Sequence, residues 1–246
     1  MKVFLLLFFG CLAFISRAQY LNMGIDMHTS LQDQKGKFKN AYGITLGYEH
    51  FLGRSPFYAV VDISGSLYDY KEMEQELPGP NGHITHQQVE YISMVSLFNG
   101  GIGWAPLHKK NVSPYLAVKG GYIKYRTVMN LYDANDPHGC RPEDRKNILR
   151  DFTPVAVASS GVKIKLAPQS CVSRLDFGVN YITGESSKYL RMRKSEEPVA
   201  PNADPYLVKF EHIETGQVHA HPLGDVYTTK TSQLQFYIKA VMSLKH

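Results

Sequence analysis

The last part of the chain carries the pattern that most constrains the fold. From Gln233 to Leu244, apolar and polar residues alternate with a period of two, which predicts a β-strand with one apolar and one polar face. An apolar face of this length is typical of a strand that faces lipid. The apolar positions are Leu234, Phe236, Ile238, Ala240, Met242 and Leu244. After residue 18 no stretch approaches the roughly eighteen apolar residues of a membrane helix. A membrane-spanning form of this chain must therefore be a closed β-barrel, because only closure satisfies every backbone group in lipid.

The first 18 residues have the three parts of a bacterial secretory signal peptide. Lys2 supplies the charged start, Val3 to Ile15 the short apolar run, and Ser16-Arg17-Ala18 the small-residue cleavage site. We therefore predict a signal peptide at 1–18 and an exported domain at 19–246 that begins at Gln19.

Composition excludes one class of partner and favours strands. The formal net charge is only +5, which is too small to indicate a nucleic-acid-binding protein. The 16 Tyr and 12 Phe residues favour β-structure over helix.

Alternation elsewhere in the chain predicts eight strands, most of them longer than the strands of soluble sheets. The predicted strands cover residues 20–30, 40–52, 56–70, 88–104, 113–131, 151–167, 172–185 and 230–245.

The connections between these strands alternate between long and short. The short ones are residues 53–55, 105–112 and 168–171, and the long ones are residues 31–39, 71–87, 132–150 and 186–229. Short periplasmic turns and long extracellular loops are typical of outer-membrane barrels. The sequence therefore predicts an all-β fold, an eight-stranded antiparallel up-and-down transmembrane β-barrel with both termini in the periplasm.

The faces of these strands separate into an apolar and a polar set. The outward set is Leu21, Met23, Ile25, Met27, Tyr42, Ile44, Leu46, Tyr48, Phe57, Ala59, Val61, Ile63, Leu116, Val118, Tyr122, Ala156, Ala158, Val162, Ile164, Leu175, Phe177, Val179 and Tyr181. The inward set includes Asp26, Glu49, Asp62, Asp176, Lys119, Lys163, Lys165, Arg174 and Lys239. Because an eight-stranded barrel is filled by its own side chains, we expect these charges to pair inside the lumen.

Two further expectations concern the lower part of the barrel. The glycine-rich end of strand 88–104, residues 99–104, is a candidate bulge that would exchange the two faces midway. Trp104, with Tyr48, Phe51 and Phe57, is expected to form an aromatic girdle at the periplasmic interface.

Three stretches carry a resemblance to a known family: Gly100 to Trp104, Ser113 to Tyr122, and Arg174 to Tyr181. With the whole strand pattern, they resemble the small outer-membrane β-barrel proteins of the OmpA/OmpX type, in details like those of Bacteroidota. The resemblance implies location in the cell outer membrane and insertion by a barrel-assembly machine, and it transfers no activity. Members often end in Phe, whereas here Lys245-His246 follow Leu244.

The last long loop, residues 186–229, contains a candidate hairpin at 206–221 around Thr215-Gly216. In that register His212 lies opposite His219, and Glu214 and His221 project from the same face. Three imidazoles and a carboxylate are suitable ligands for zinc or another divalent metal. The alternative is an ordinary exposed polar face, and the sequence leaves both open. Beyond this metal, no cofactor is predicted.

Motifs of catalysis are missing from the sequence. We find no Gly-x-Ser-x-Gly, His-Glu-x-x-His or phosphate-binding glycine loop, and Asp26 and His28 with a nearby serine form a weak constellation. We therefore predict a non-enzymatic barrel that acts through its extracellular loops in partner binding or envelope structure. Its expected partners are outer-membrane lipid and another outer-membrane or extracellular protein. The alternatives are an accessory subunit of a larger outer-membrane secretion, uptake or assembly complex, an outer-membrane enzyme, and a soluble barrel that carries a ligand.

Overall fold

The computed structural model describes residues 19–78, 84–132, 142, 144–166, 171–193, 204–212 and 217–244. The signal-peptide prediction for residues 1–18 lies outside these residues. The strands are β1 (Gln19–Ser30), β2 (Ala41–Phe51), β3 (Phe57–Pro78), β4 (Ile84–Trp104), β5 (Val112–Tyr132), β6 (Asp144–Lys165), β7 (Arg174–Met192), β8 (Asp204–His212) and β9 (Gln217–Ser243). A short 3-10 helix, Gln32–Gln34, lies between β1 and β2. No helix in the described ranges is long and apolar enough to cross a membrane.

Eight of the strands close into an antiparallel ring. Strands β1 to β7 pair in chain order, β7 pairs with β9, and β9 pairs with β1. Closure is extensive, because β1 and β9 pair from Tyr20 and Ser243 up to Ser30 and Gln233. The predicted eight-stranded up-and-down barrel is therefore confirmed. Strand β8 lies outside the ring and pairs with β9.

A belt of exposed apolar side chains surrounds the barrel. Ile25 is 64% exposed, Ile44 62%, and Val118 74%, although in water such residues would normally be buried. The belt includes Leu21, Met23, Tyr42, Leu46, Phe57, Val61, Ile63, Phe98, Ile102, Leu116, Tyr122, Phe177, Tyr181, Phe236 and Ile238. An apolar exterior around a polar, closed interior is the architecture of a transmembrane barrel.

One of the two expectations for the lower barrel is wrong. Strand β4 keeps one facing throughout, with Leu97 and Asn99 buried and Phe98 and Ile102 exposed. A register shift occurs instead in the pairing of β3 with β4, between Leu67 and Asp69. A Cβ on Gly101 would collide with the backbone carbonyl of Val118, so the close approach of β5 requires glycine at this position.

The predicted aromatic girdle also needs one correction. Trp104 and Phe57 are 43% and 48% exposed on the outer wall, and Tyr48 is partly exposed. Phe51 is 3% exposed and lies inside the lumen, where its ring packs on Tyr58. Phe51 shares its strand face with Glu49, whose carboxylate is directed inward, so the period-two pattern of β2 places it inside.

Several strands continue well past their predicted ends. Strand β3 runs to Pro78, β4 starts at Ile84 and β6 starts at Asp144, whereas β5 ends at Tyr132, within one residue of its predicted end. The charged run after Tyr70 lacks the apolar alternation of a lipid-facing strand, because above the belt the outer face contacts water. Much of the predicted loop 186–229 is also strand, as β7, β8 and β9 together show.

Above the belt the ring opens into two sheets. Pairing of β6 with β7 ends at Val155 and Gly184, and pairing of β2 with β3 ends at Tyr42 and Leu67. Beyond those points β3, β4, β5 and β6 form one sheet, and β7, β9 and β8 form the other. Apolar side chains from both sheets meet between them. We call this part the extracellular sandwich.

Candidate functional site

The lower lumen is filled by a layer of rings and paired charges. Glu49 accepts a hydrogen bond of 2.5 Å from Lys163, whose Nζ lies 4.3 Å from the centre of the Tyr58 ring. The hydroxyl of Tyr115 donates to Asp176 at 2.8 Å. All of these side chains are buried, so the layer closes the periplasmic end of the lumen.

The middle of the lumen is crossed by a three-membered ion cluster. Asp62 accepts hydrogen bonds from Lys119 and from Lys239, each at 2.7 Å, and all three side chains are at most 5% exposed. The carboxylate between two ammonium groups offsets part of the desolvation cost of burying these charges, and it does so only while it is present. Of the predicted inward charges, Glu49, Asp62, Lys119, Lys163 and Lys239 therefore pair inside the barrel, whereas Lys165 donates to the backbone carbonyl of Lys109 and Arg174 to the Tyr20 hydroxyl.

The residues of the weak catalytic constellation lie close together but in an unsuitable arrangement. The Ser66 hydroxyl donates to Asp26 at 2.7 Å, so the carboxylate contacts the serine directly. His28 Nε2 lies 3.8 Å from the same carboxylate, and His28 Nδ1 lies 3.2 Å from the side-chain oxygen of Gln233. A nucleophile needs the imidazole between the serine and the acid. Asp26 and His28 are also buried, and the cluster is a structural network.

The connection between β1 and β2 folds inward and covers the top of the lumen. Phe38 is 4% exposed, and its ring lies 4.8 Å from Tyr68, 5.9 Å from Tyr125 and 5.6 Å from Tyr189. Gln34 is fully buried and donates to the Tyr125 hydroxyl at 3.3 Å. With the lumen filled at three levels, the surfaces left for function are the outer wall and the extracellular sandwich.

The sandwich has its own apolar core. Fully or nearly fully buried side chains from both sheets form it, namely Val89, Tyr91, Leu190, Met192 and Leu223. Partly buried residues pack around them, including Met73 and Met129 from one sheet and Tyr206 and Val208 of β8 from the other. The sandwich is therefore a packed unit on top of the barrel.

Polar contacts hold the two sheets together at one edge. Lys71 of β3 donates to the backbone carbonyl of Arg193, which follows β7, at 3.0 Å. Asp69 accepts from the Met192 amide at 2.7 Å and forms an ion pair with Lys39 at 2.7 Å. Burial lowers the pKa of Lys71, and the Arg193 guanidinium lowers it further. The edge is fixed by side chains that reach across from one sheet to the other.

The outer face of the sandwich carries acidic and basic side chains on different pairs of strands. On β3 and β4, Glu72 lies directly opposite Glu90, and the Tyr70 hydroxyl donates to both carboxylates. Those hydrogen bonds raise the pKa of Tyr70. On β5 and β6 the corresponding positions are Arg126 and Arg150, again a direct cross-strand pair. One wall therefore has an acidic and a basic side.

The structure describes only part of the predicted metal site. His212 pairs with Gln217 and His219 with Phe210, so the backbone register differs by two residues from the predicted pairing of His212 with His219. His221 is exposed and pairs with Val208. Glu214 lies outside the described residues. Within the described ranges no group of three metal-ligating side chains comes together. The metal site stays a prediction.

Sequence reasoning missed the sandwich and the cationic pair on its wall. Alternation does continue in Val89 and Tyr91, but the flanking residues are polar on both faces. Arg126 and Arg150 are 24 residues apart in a chain read as strand, loop and strand, so only the register of β5 and β6 brings them together.

Comparison with known proteins gives weak likenesses. No protein-family model and no curated protein sequence matches the chain. Among solved structures it is similar to Ail, the attachment invasion locus protein of Yersinia pestis, in complex with the heparin analogue sucrose octasulfate, with 10% identity, a TM-score of 0.40, and 92% of this chain and 99% of that chain covered. It is also similar to a major outer membrane protein from Thermus thermophilus, with 10% identity, a TM-score of 0.34, and 93% and 100% covered. Because these identities and TM-scores are so low, the assignment of the fold rests on the geometry of this chain.

Proposed function

We propose that this chain is a non-enzymatic integral protein of the outer membrane that acts through its extracellular sandwich. The observation that carries the proposal is the combination of a filled lumen with an exposed apolar belt. A belt of this kind lowers the free energy of the protein in lipid by about 25 cal/mol for each Å² removed from water. A filled lumen provides no channel and no open catalytic cleft, so binding falls to the surface above the belt.

The sandwich is suited to contact with a partner. Its packed core holds both sheets rigid, and its outer face presents side chains of both charge signs on regular strands. Rigid display on strands lowers the conformational entropy lost on binding. We infer an extracellular macromolecule or a neighbouring envelope component as the partner.

Directional labelling in intact cells tests this orientation. In a C140S/C171S background, we would compare K209C on β8 with K109C in the β4–β5 turn, both exposed lysines. A membrane-impermeant maleimide should label K209C in intact cells, and K109C only after the outer membrane is permeabilised. Equal labelling of both sites in intact cells, or labelling of K109C alone, would reject the proposal.

One observation favours a second candidate, an accessory subunit of a larger outer-membrane complex. The outer wall carries a groove of about 450 Å³ at the periplasmic end of β4, β5 and β6. It is lined by Trp104, Pro106, Pro114, Tyr115, Leu116, Ser160, Gly161 and Val162. A photo-crosslinking residue at position 116 should capture a larger barrel if this candidate is correct. Crosslinks to lipid alone would reject this second candidate and support the first proposal.

A further inference from the structure

Three cations lie side by side on the outer wall immediately above the apolar belt. Lys124 and Arg126 come from β5 and Arg150 from β6, and Arg126 and Arg150 occupy directly paired positions. All three belong to the face of these strands that also carries the belt residues Val118 and Tyr122. We call these three residues the cationic patch.

Within the part of the chain that the structure describes, the charge of the patch is not compensated. Among the described residues, none of its three members forms an ion pair with a carboxylate, and Arg126 donates to the neutral side-chain oxygen of Asn147 at 2.6 Å. Burial lowers the pKa of Lys124, and the nearby Arg150 and Arg126 guanidinium groups lower it further. Like charges at directly paired positions destabilise a sheet. The arrangement therefore costs stability in the isolated protein, and an anion would remove that cost.

An aromatic ring connects the patch to the belt. Phe152 pairs with Lys124 and is 50% exposed. Its ring centre lies 5.2 Å from Lys124 Nζ and 4.8 Å from Arg150 Cζ. An exposed ring beside cations at the end of an apolar belt is typical of the height at which lipid headgroups lie. Phe152 and Lys124 lie at one level next to the belt, and Arg126 and Arg150 lie one step farther from it.

We propose that Lys124, Arg126 and Arg150 bind the phosphate groups of a phosphorylated glycolipid of the outer leaflet, with Phe152 packed against its sugar or upper acyl carbons. Arginine suits this task because its planar group donates two parallel hydrogen bonds to a phosphate, while lysine adds a point charge. The site rests on the proposed function, since it requires a barrel inserted in the outer membrane.

Lipid titration of the purified barrel tests the site. The barrel in zwitterionic micelles would be titrated with a diphosphorylated glucosamine-disaccharide lipid, its dephosphorylated counterpart, inorganic phosphate and a heparin oligosaccharide, with bound lipid counted by native mass spectrometry. The phosphorylated lipid should bind best. K124Q/R126Q/R150Q should bind it at least about tenfold more weakly, since each cation near a lipid surface contributes a substantial share of the attraction.

Matched variants distinguish an effect of these three positions from an effect of the net charge of the protein. R54Q/K109Q/K110Q removes three exposed cations from the opposite end and should bind like the wild type. R126K/R150K keeps the charge and should stay within about threefold. Equal binding of the two lipids, equal loss in the two triple variants, or equal affinity for heparin or inorganic phosphate would overturn the proposal. Wild-type protein without a heat-modifiable band would reject the membrane barrel itself, whereas a heat-modifiable barrel without phosphate preference would reject only this site.

Discussion

One buried carboxylate, Asp62, holds together the ion cluster in the middle of the lumen. Asp62 is the only carboxylate in direct hydrogen-bond contact with Lys119 and Lys239 among the described residues. Removing one member of a buried ion cluster leaves the others without compensation, which costs more than the cluster contributes when it is complete.

The substitution D62N tests this interpretation. It keeps the shape of the side chain and removes its charge, so two buried ammonium groups would face a neutral amide. We expect the free energy of unfolding to fall by about 3–5 kcal/mol, measured by urea unfolding in lipid vesicles. D33N, at an exposed position in the β1–β2 connection, should change it by less than about 0.5 kcal/mol. A loss for D62N no larger than that of D33N would contradict the ion cluster.

Residue-scale expectations from the sequence succeeded where the period of two was undisturbed. Asp62, Lys119 and Lys239 were placed inward by alternation alone, because the outward neighbours of each are apolar. Which charges contact one another could not be predicted, since that depends on strand tilt and register. The reversed placement of Phe51 is a different kind of error, because the period of two in β2 places this residue on the inward face with Glu49.

At the scale of elements, the sandwich is stabilised by its own core. Leu190 is fully buried between the two sheets, whereas Leu207 on β8 is 49% exposed. Because the eight-stranded ring closes below this level, the sandwich can loosen while the barrel stays intact.

Truncation of the Leu190 side chain should destabilise the sandwich and leave the barrel stable. L190A removes buried carbon atoms from the sandwich and should cost about 2–5 kcal/mol there. Amide hydrogen exchange should accelerate in the upper parts of β7 and β9 and stay slow in the lower parts. L207A should leave exchange near the wild-type rate. Uniform acceleration along β9 would show that the sandwich and the barrel are a single cooperative unit.

Element boundaries were predicted most consistently where lipid imposes a pattern. Strands within the belt were predicted to within a few residues, as β1 and β2 show. The upper ends of β3, β4 and β6 were assigned to loops because water tolerates polar residues on both faces of a strand, whereas β5 was predicted to within one residue at each end. Strand β9 combines both cases, since its lower half, from residue 230, was predicted as a strand and its upper half lies in the predicted loop.

At the scale of the whole molecule, the apolar belt requires that lipid, and not water, surrounds the barrel. Val118, at 74% exposed, lies on the outward face of β5 between the exposed residues Leu116 and Tyr122. A cation at that height would have to leave the lipid core or distort it.

The variant V118R tests the depth of the belt. We expect the free energy of unfolding in a bilayer to fall by about 2–4 kcal/mol, as for arginine near the middle of a bilayer. T228R, on an exposed position of β9 in the sandwich, should have an effect below about 0.5 kcal/mol. Equal stability of V118R and the wild type would mean that the belt does not face lipid.

Every prediction above requires a folded barrel inserted in the outer membrane. The most direct measurement is fractionation of the native host, followed by a gel that compares unheated and boiled outer-membrane protein. A closed barrel with this extent of strand pairing predicts recovery in the outer-membrane fraction and different migration of the two samples. Recovery as a soluble species, or identical migration of both samples, would contradict the account.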